Sequence, residues 1–227
     1  VQIPGQNAET LFRLEATYPV TVGTRTSGRS NIENGNVSFR NANLTLIGPL
    51  SIGGDAKLTL PEGTLNVGEI TIGHLPPISP LTPTLAQLYV SNAGTIITGN
   101  TAIDIGAASE GELFVSDASL DSSQVRIGVN SRGTAIIGGQ HAFWNTDSVA
   151  VGYGYTGTLI IEHGGEMRTF GEVVIGYGTT LQDYTATVDV SNQGSPALGL
   201  GNWLITDLFT LGNNLRGELY ISNGGSV

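Results

Sequence analysis

The side chains best suited to chemistry crowd into one acidic stretch: Asp104, Glu110, Glu112, Asp117 and Asp121. Two carboxylates held at a fixed separation could hydrolyse a glycosidic bond, one as the acid and the other as base or nucleophile. Under the strand alternation read below, Glu112 points outward when Leu113 points in, and Asp121 falls beside Asp104 one repeat away. Only Arg126 supplies a cation close by in sequence, and carboxylates in solvated turns are the ordinary content of such a stretch. No catalytic residue is assigned, and the chain is read as a non-enzyme.

The three histidines give no better case. His163 stands between Glu162 and Glu166 in "IEHGGE", while His141 and His74 lie in loops about one and three repeats away. A metal site would need them to converge on one edge, which nothing in their spacing requires, so polar turn histidines are expected, with no metal and no cofactor. The calcium-binding solenoid repeat, the P-loop and the "GxSxG" elbow are all missing from the sequence. So is a "GDSGS" serine-protease signature.

Trp144, next to Phe143, and Trp203 could be sugar-stacking platforms, but both fall at the same place in a repeat, which favours packing at the corner of the coil. A proline-rich segment, "HLPPISPLTPT" at 74 to 84, is the first candidate for partner contact. Its prolines stiffen an extended loop that carries Leu75, Pro76, Pro77, Ile78 and Leu81, and a preorganised apolar loop loses little entropy on binding. A loop packed on the flank of the fold is the alternative reading of the same residues.

These groups sit on a repetitive scaffold. A hydrophobic residue followed by glycine closes a strand at Gly73, Gly106, Gly128, Gly152, Gly176 and Gly212. Gly106 to Gly128 is a step of 22 residues, and the next two steps are 24 each. Steps of 33 and 36 look like the same unit with insertions at 74 to 84 and 177 to 185. Five residues after the closing glycine another opens the next strand, as at Gly111, Gly133, Gly157 and Gly217. Leu113 and Val115, Ala135 and Ile137, and Leu159 and Ile161 alternate with period two, the signature of strands buried on one face. The turns read as two kinds, one Gly-Gly and one carrying a tryptophan. "AETLFRLEA" at 8 to 16 is a weak helical window.

A unit this short cannot bury its own apolar face, so the expected fold is all-β: a right-handed parallel β-helix of roughly 22–24 residues per coil. A propeller blade would need about 40–45 residues. From residue 37 to 227 about eight coils fit, and residues 1–36 are expected as an N-terminal cap or irregular first coils. Net charge is −10. That excludes the basic footprint of a nucleic-acid binder and disfavours anionic lipid. The chain has no cysteine, which fits a protein that crosses membranes unfolded. No apolar run reaches the roughly 18 residues of a membrane span, and "VQIPGQNAET" does not look like a signal peptide. Because "ISNGGSV" stops inside a repeat, the chain reads as a fragment of something longer.

The pattern carried by Gly157-Thr158-Leu159, Gly164-Gly165, Ile175-Gly176, Trp203, Gly212, Gly217 and Gly224-Gly225 resembles the strand-loop-strand repeats of autotransporter (type V secretion) passenger domains. PEP-CTERM-associated surface proteins carry similar repeats. The resemblance runs from about residue 86 to 227. It implies a β-solenoid that is secreted or displayed on the bacterial cell surface by a C-terminal outer-membrane β-barrel, which is absent from this chain. Implied roles are adhesion, aggregation and engagement of a host surface protein or glycan. A carbohydrate-active β-helix enzyme and a passive stalk presenting a distal domain are the alternatives.

Overall fold

The computed structural model describes residues 2–3, 11–15, 30–40, 42–74, 84–92, 94–97, 102–178, 184–191 and 201–227. Among these residues nineteen strands form a single sheet, and every strand-to-strand ladder is parallel. Each strand pairs with the one a full coil later, so the chain is a parallel β-solenoid. Its coil has three faces. Face A is the strand that opens after the closing glycine, such as Glu110–Ser116, Gly133–Gly138 and Gly157–Glu162. Faces B and C follow as the two halves of one bent strand in Ser119–Ile127 and Phe143–Tyr153. Elsewhere they are separate strands, Glu166–Thr169 and Val173–Tyr177.

Alternation decides what fills the interior. On face A, Leu58, Leu88, Leu113, Ala135, Leu159 and Val188 lie in one register row, all fully buried. On face C the row is Ile52, Ile72, Ile105, Ile127, Val151 and Ile175, also fully buried. Burying one such side chain is worth about 1.5–3 kcal/mol, but only while a coil lies on both sides. Leu211 continues the face C row beyond Ile175 and is 49 % exposed, because no coil covers its outer side.

Face B holds the bulk. Leu65, Ile96, Leu120, Trp144, Met167 and Trp203 form its inward row. Both indoles are sealed, Trp144 at 0 % and Trp203 at 1 % exposure, so they pack the core and present no platform to solvent. The two apparent kinds of turn are one corner. Met167 occupies the place of the tryptophans, and the Gly-Gly turn before it matches the turn before Trp144.

The corner from face C to face A explains the strand-closing glycines. Gly73, Gly106, Gly128, Gly152, Gly176 and Gly212 have φ between +71° and +86°, the left-handed region that side chains avoid. They turn the chain at the corner, and the amides of Gly73, Gly106 and Gly128 still reach the previous coil, as Gly128 N donates to Ile105 O at 2.9 Å. At the second corner, from A to B, the left-handed position is taken by Asn92, Asp117, Gly139, His163 and Asn223. Asn, Asp and His tolerate that conformation best among non-glycine residues.

The sequence reading needs correction at two further points. Leu11–Glu15, inside the weak helical window, is a strand paired in parallel with Ser30–Arg40. The 36-residue step carries two insertions, not one. Ten residues separate Gly176 from its face A successor Ala186, where five separate Gly152 from Gly157. Thirteen separate Val190 from Trp203, where six separate Ile161 from Met167. Near the start, Gln2–Ile3 also pairs in parallel with Ser30–Arg40, and register passes from Asn36 to Val37 without a break.

Candidate functional site

The five carboxylates of the acidic stretch are spread around the perimeter of one coil. Asp104 lies on face C, Glu110 and Glu112 on face A, Asp117 at the corner, and Asp121 on face B. Asp121 is therefore not beside Asp104, because Ser119–Ile127 bends from face B to face C between them. Each acid has its own neighbour. Arg126 clamps Asp104 with two bonds, Nε to Oδ1 at 2.6 Å and Nη2 to Oδ2 at 2.5 Å. Burial works against the Arg126 charge, but the hydrogen bonds to Asp104 outweigh it and raise the guanidinium pKa. Asn145 Nδ2 donates to Asp121 Oδ1 at 2.9 Å, and Gln87 Nε2 donates to Glu112 Oε2 at 2.8 Å.

The histidines do not converge. His74 lies at the C-to-A corner, where its amide donates to Ile52 O at 3.1 Å. His141 and His163 belong to the other corner, and the His141 amide donates to Asp117 Oδ1 at 3.2 Å. Among the described residues no group of three or more metal-ligating side chains occurs. Leu75, Pro76, Pro77, Ile78 and Leu81 lie outside the described residues.

The most distinctive surface is the outward side of face A. Tyr89, Phe114, Ile136 and Ile160 stand in one register row over four successive coils, each partly exposed. Polar residues bound the row, Thr59 before it and Asp189 after it. The Tyr89 and Phe114 rings stack at 4.4 Å with planes 10° apart, and Lys57 Nζ stands 3.9 Å from the Tyr89 ring centre. Burial, and then the Glu112 carboxylate, push the Tyr89 phenol above its ordinary pKa. Phe114 and Ile136 are register neighbours on successive coils, and both line the groove described next.

Beside this row runs another, Ser116, Gly138 and Glu162. Gly138 leaves a gap in it. The gap opens a groove of about 370 Å³ lined by Phe114, Ser116, Ile136, Gly138, Gly139, Glu162 and His163, together with Val115. Its floor is apolar and its far wall is polar, with His163 Nδ1 3.3 Å from Glu162 Oε1. A second aromatic group stands at the C-to-A corner, where Tyr153 stacks on Tyr177 at 5.0 Å and Tyr155 meets Tyr184 at 4.0 Å.

The sequence reading missed the aromatic row, although a signal for it was present. "LAQLYVS" and "GELFVS" carry an aromatic at the same outward position. Gly138 was not readable in advance, for one more glycine among 33 gives no signal until its register is known.

Fold and groove together define a parallel β-solenoid with an open cleft on one face. Compared with protein-family models, curated proteins and solved structures, the chain matches none of them.

Proposed function

We propose that the chain is a non-enzymatic solenoid of the autotransporter-passenger kind, secreted or displayed at a bacterial surface, that binds a molecule of a host or neighbouring cell along face A. One observation carries this reading: the partly exposed row of Tyr89, Phe114, Ile136 and Ile160 on a rigid flat sheet. A surface that serves only as a stalk has no use for such a row, which exposes apolar area beside outward polar positions such as Gln87, Glu112, Thr134 and Thr158. Export and display rest on the strand-loop-strand pattern of the repeats. The carbohydrate-active reading loses support from the separation of Asp104 and Asp121 and from the clamp of Arg126 on Asp104.

Labelled solenoid incubated with epithelial cells and with bacterial cells tests the reading. The wild type binds at least one of these surfaces, and the pair Phe114→Ser with Ile136→Thr loses most of that binding while keeping its β-sheet circular dichroism. Equal binding by the pair would remove face A from the account.

A further inference from the structure

Of the glycines whose surroundings are crowded, almost all are dictated by the backbone. A Cβ on Gly111, Gly133, Gly157, Gly165 or Gly201 would stand 2.3–2.8 Å from a backbone atom. Gly138 differs. A Cβ there meets nothing nearer than Glu162 Cγ at 3.5 Å, an ordinary contact, and its φ is not in the left-handed region. The fold would accept a side chain at this point, and strand propensity would favour one. What the glycine supplies is the groove.

We infer that the groove at Gly138 is a subsite for one pyranose unit of a neutral glycan, an inference that rests on the reading of face A as a binding surface. A pyranose ring has an apolar C–H face and a rim of hydroxyls. Here the apolar face meets the free side of Phe114 and the Ile136 side chain. The rim meets the Ser116 hydroxyl and the Glu162 carboxylate, which stands 3.3 Å from His163 Nδ1 through Oε1 and accepts from a sugar hydroxyl in a charge-assisted bond. About 370 Å³ lies at the small end of the roughly 300–1,000 Å³ typical of ligand pockets, and an apolar lining with a few converging polar groups is their usual composition.

Charge selects among occupants. Glu162 and the nearby Asp117 repel an anionic sugar, as does the net charge of −10. A cationic guest has less to gain, since Lys57 already occupies the outer face of the Tyr89–Phe114 stack and His163 already faces Glu162. The groove is open to solvent and not an enclosed cavity, so a ring bound there can belong to a longer chain.

Titration of the whole solenoid with cellohexaose, maltohexaose, chitohexaose and mannohexaose tests this, with hexagalacturonate and hexalysine as charged comparators. Calorimetry measures affinity, and amide NMR shifts at Gly138, Gly139 and His163 report the location. At least one neutral hexaose binds with those shifts. Gly138→Val, which fills the groove without straining the backbone, weakens it by about tenfold or more. Glu162→Gln, isosteric and soluble, weakens it less and relieves the exclusion of hexagalacturonate. Absence of binding by every neutral hexaose, equal binding by Gly138→Val, or hexalysine alone shifting these amides overturns the inference. Cell binding by the wild type that survives Gly138→Val, with no hexaose bound, overturns the sugar subsite and leaves the binding reading standing. A wild type that binds neither cells nor hexaoses overturns both.

Discussion

Trp144 donates its indole N–H to Ser122 Oγ at 3.0 Å, and Ser122 belongs to the coil before it. Trp203 repeats the bond to Thr169 Oγ1, also at 3.0 Å. The polar atom of each large core ring is thus satisfied across the stack by a hydroxyl of the neighbouring layer. Ser122→Ala strands a buried donor and is expected to cost about 1–3 kcal/mol in urea unfolding. Trp144→Phe costs at least as much, since it also leaves a void. With both indoles buried, the wild-type emission is expected to be blue-shifted and to resist acrylamide. A red, readily quenched spectrum would contradict sealed indoles.

Gly128 and Gly138 separate conformational need from open space. A Cβ on Gly128 would lie 2.5 Å from Thr156 O at a φ of +75°. Gly128→Ala is expected to destabilise by about 1–3 kcal/mol or more. Gly138→Ala is expected to stay within about 0.5 kcal/mol of wild type, or to gain slightly from a less flexible unfolded chain. Equal losses in the two variants would overturn the distinction.

Asp104 and Asp121 separate in the same manner. Removing the charge-assisted pair in Asp104→Asn costs about 1.5–3 kcal/mol, whereas Asp121→Asn on the half-exposed face B costs about 0.5 kcal/mol or less. Under the binding reading, no polysaccharide turnover is expected from the wild type or from either variant. Turnover by the wild type that vanishes in Asp104→Asn would restore the carbohydrate-active reading.

Tyr89 provides a probe of face A. Its phenol ionises less readily in the folded chain than in the unfolded one, through burial and then Glu112. A folded-state pKa raised above the unfolded value adds stability that is intact below about pH 10 and is lost as pH rises through the folded value. In NMR of ring-labelled tyrosine, Glu112→Gln moves the Tyr89 midpoint down only part of the way, since burial remains. No movement would mean that Glu112 does not act on Tyr89.

The scaffold was legible because its rules are steric and local. The hydrophobic-Gly pairs that recur at the repeat spacing, from Gly73 to Gly212, mark left-handed corners, and strand alternation assigned Leu113 and Leu159 to the core. The equivalence of Trp144 and Trp203 followed from their offsets. Asp104 and Asp121 were misplaced because periodicity does not record a bend within a continuous strand, and that bend moves Asp121 to another face. The second insertion, before Trp203, was hidden because only the total step length is visible. The groove was illegible because it is made by a missing side chain, whose meaning depends on Ser116 and Glu162 one coil to either side.

Corner length and the residue that opens face A change together. After the tight corners stand Gly111, Gly133 and Gly157, while Ala86 and Ala186 take the same position after the lengthened ones. A Cβ on Gly133 would lie 2.4 Å from Gly128 N, a conflict that a longer loop removes by drawing the two ends apart. Decoration of the rim is thereby uncoupled from the lattice beneath it: evolution, or an engineer splicing a foreign epitope between Gly154 and Tyr155, can vary cargo freely for the cost of one methyl group.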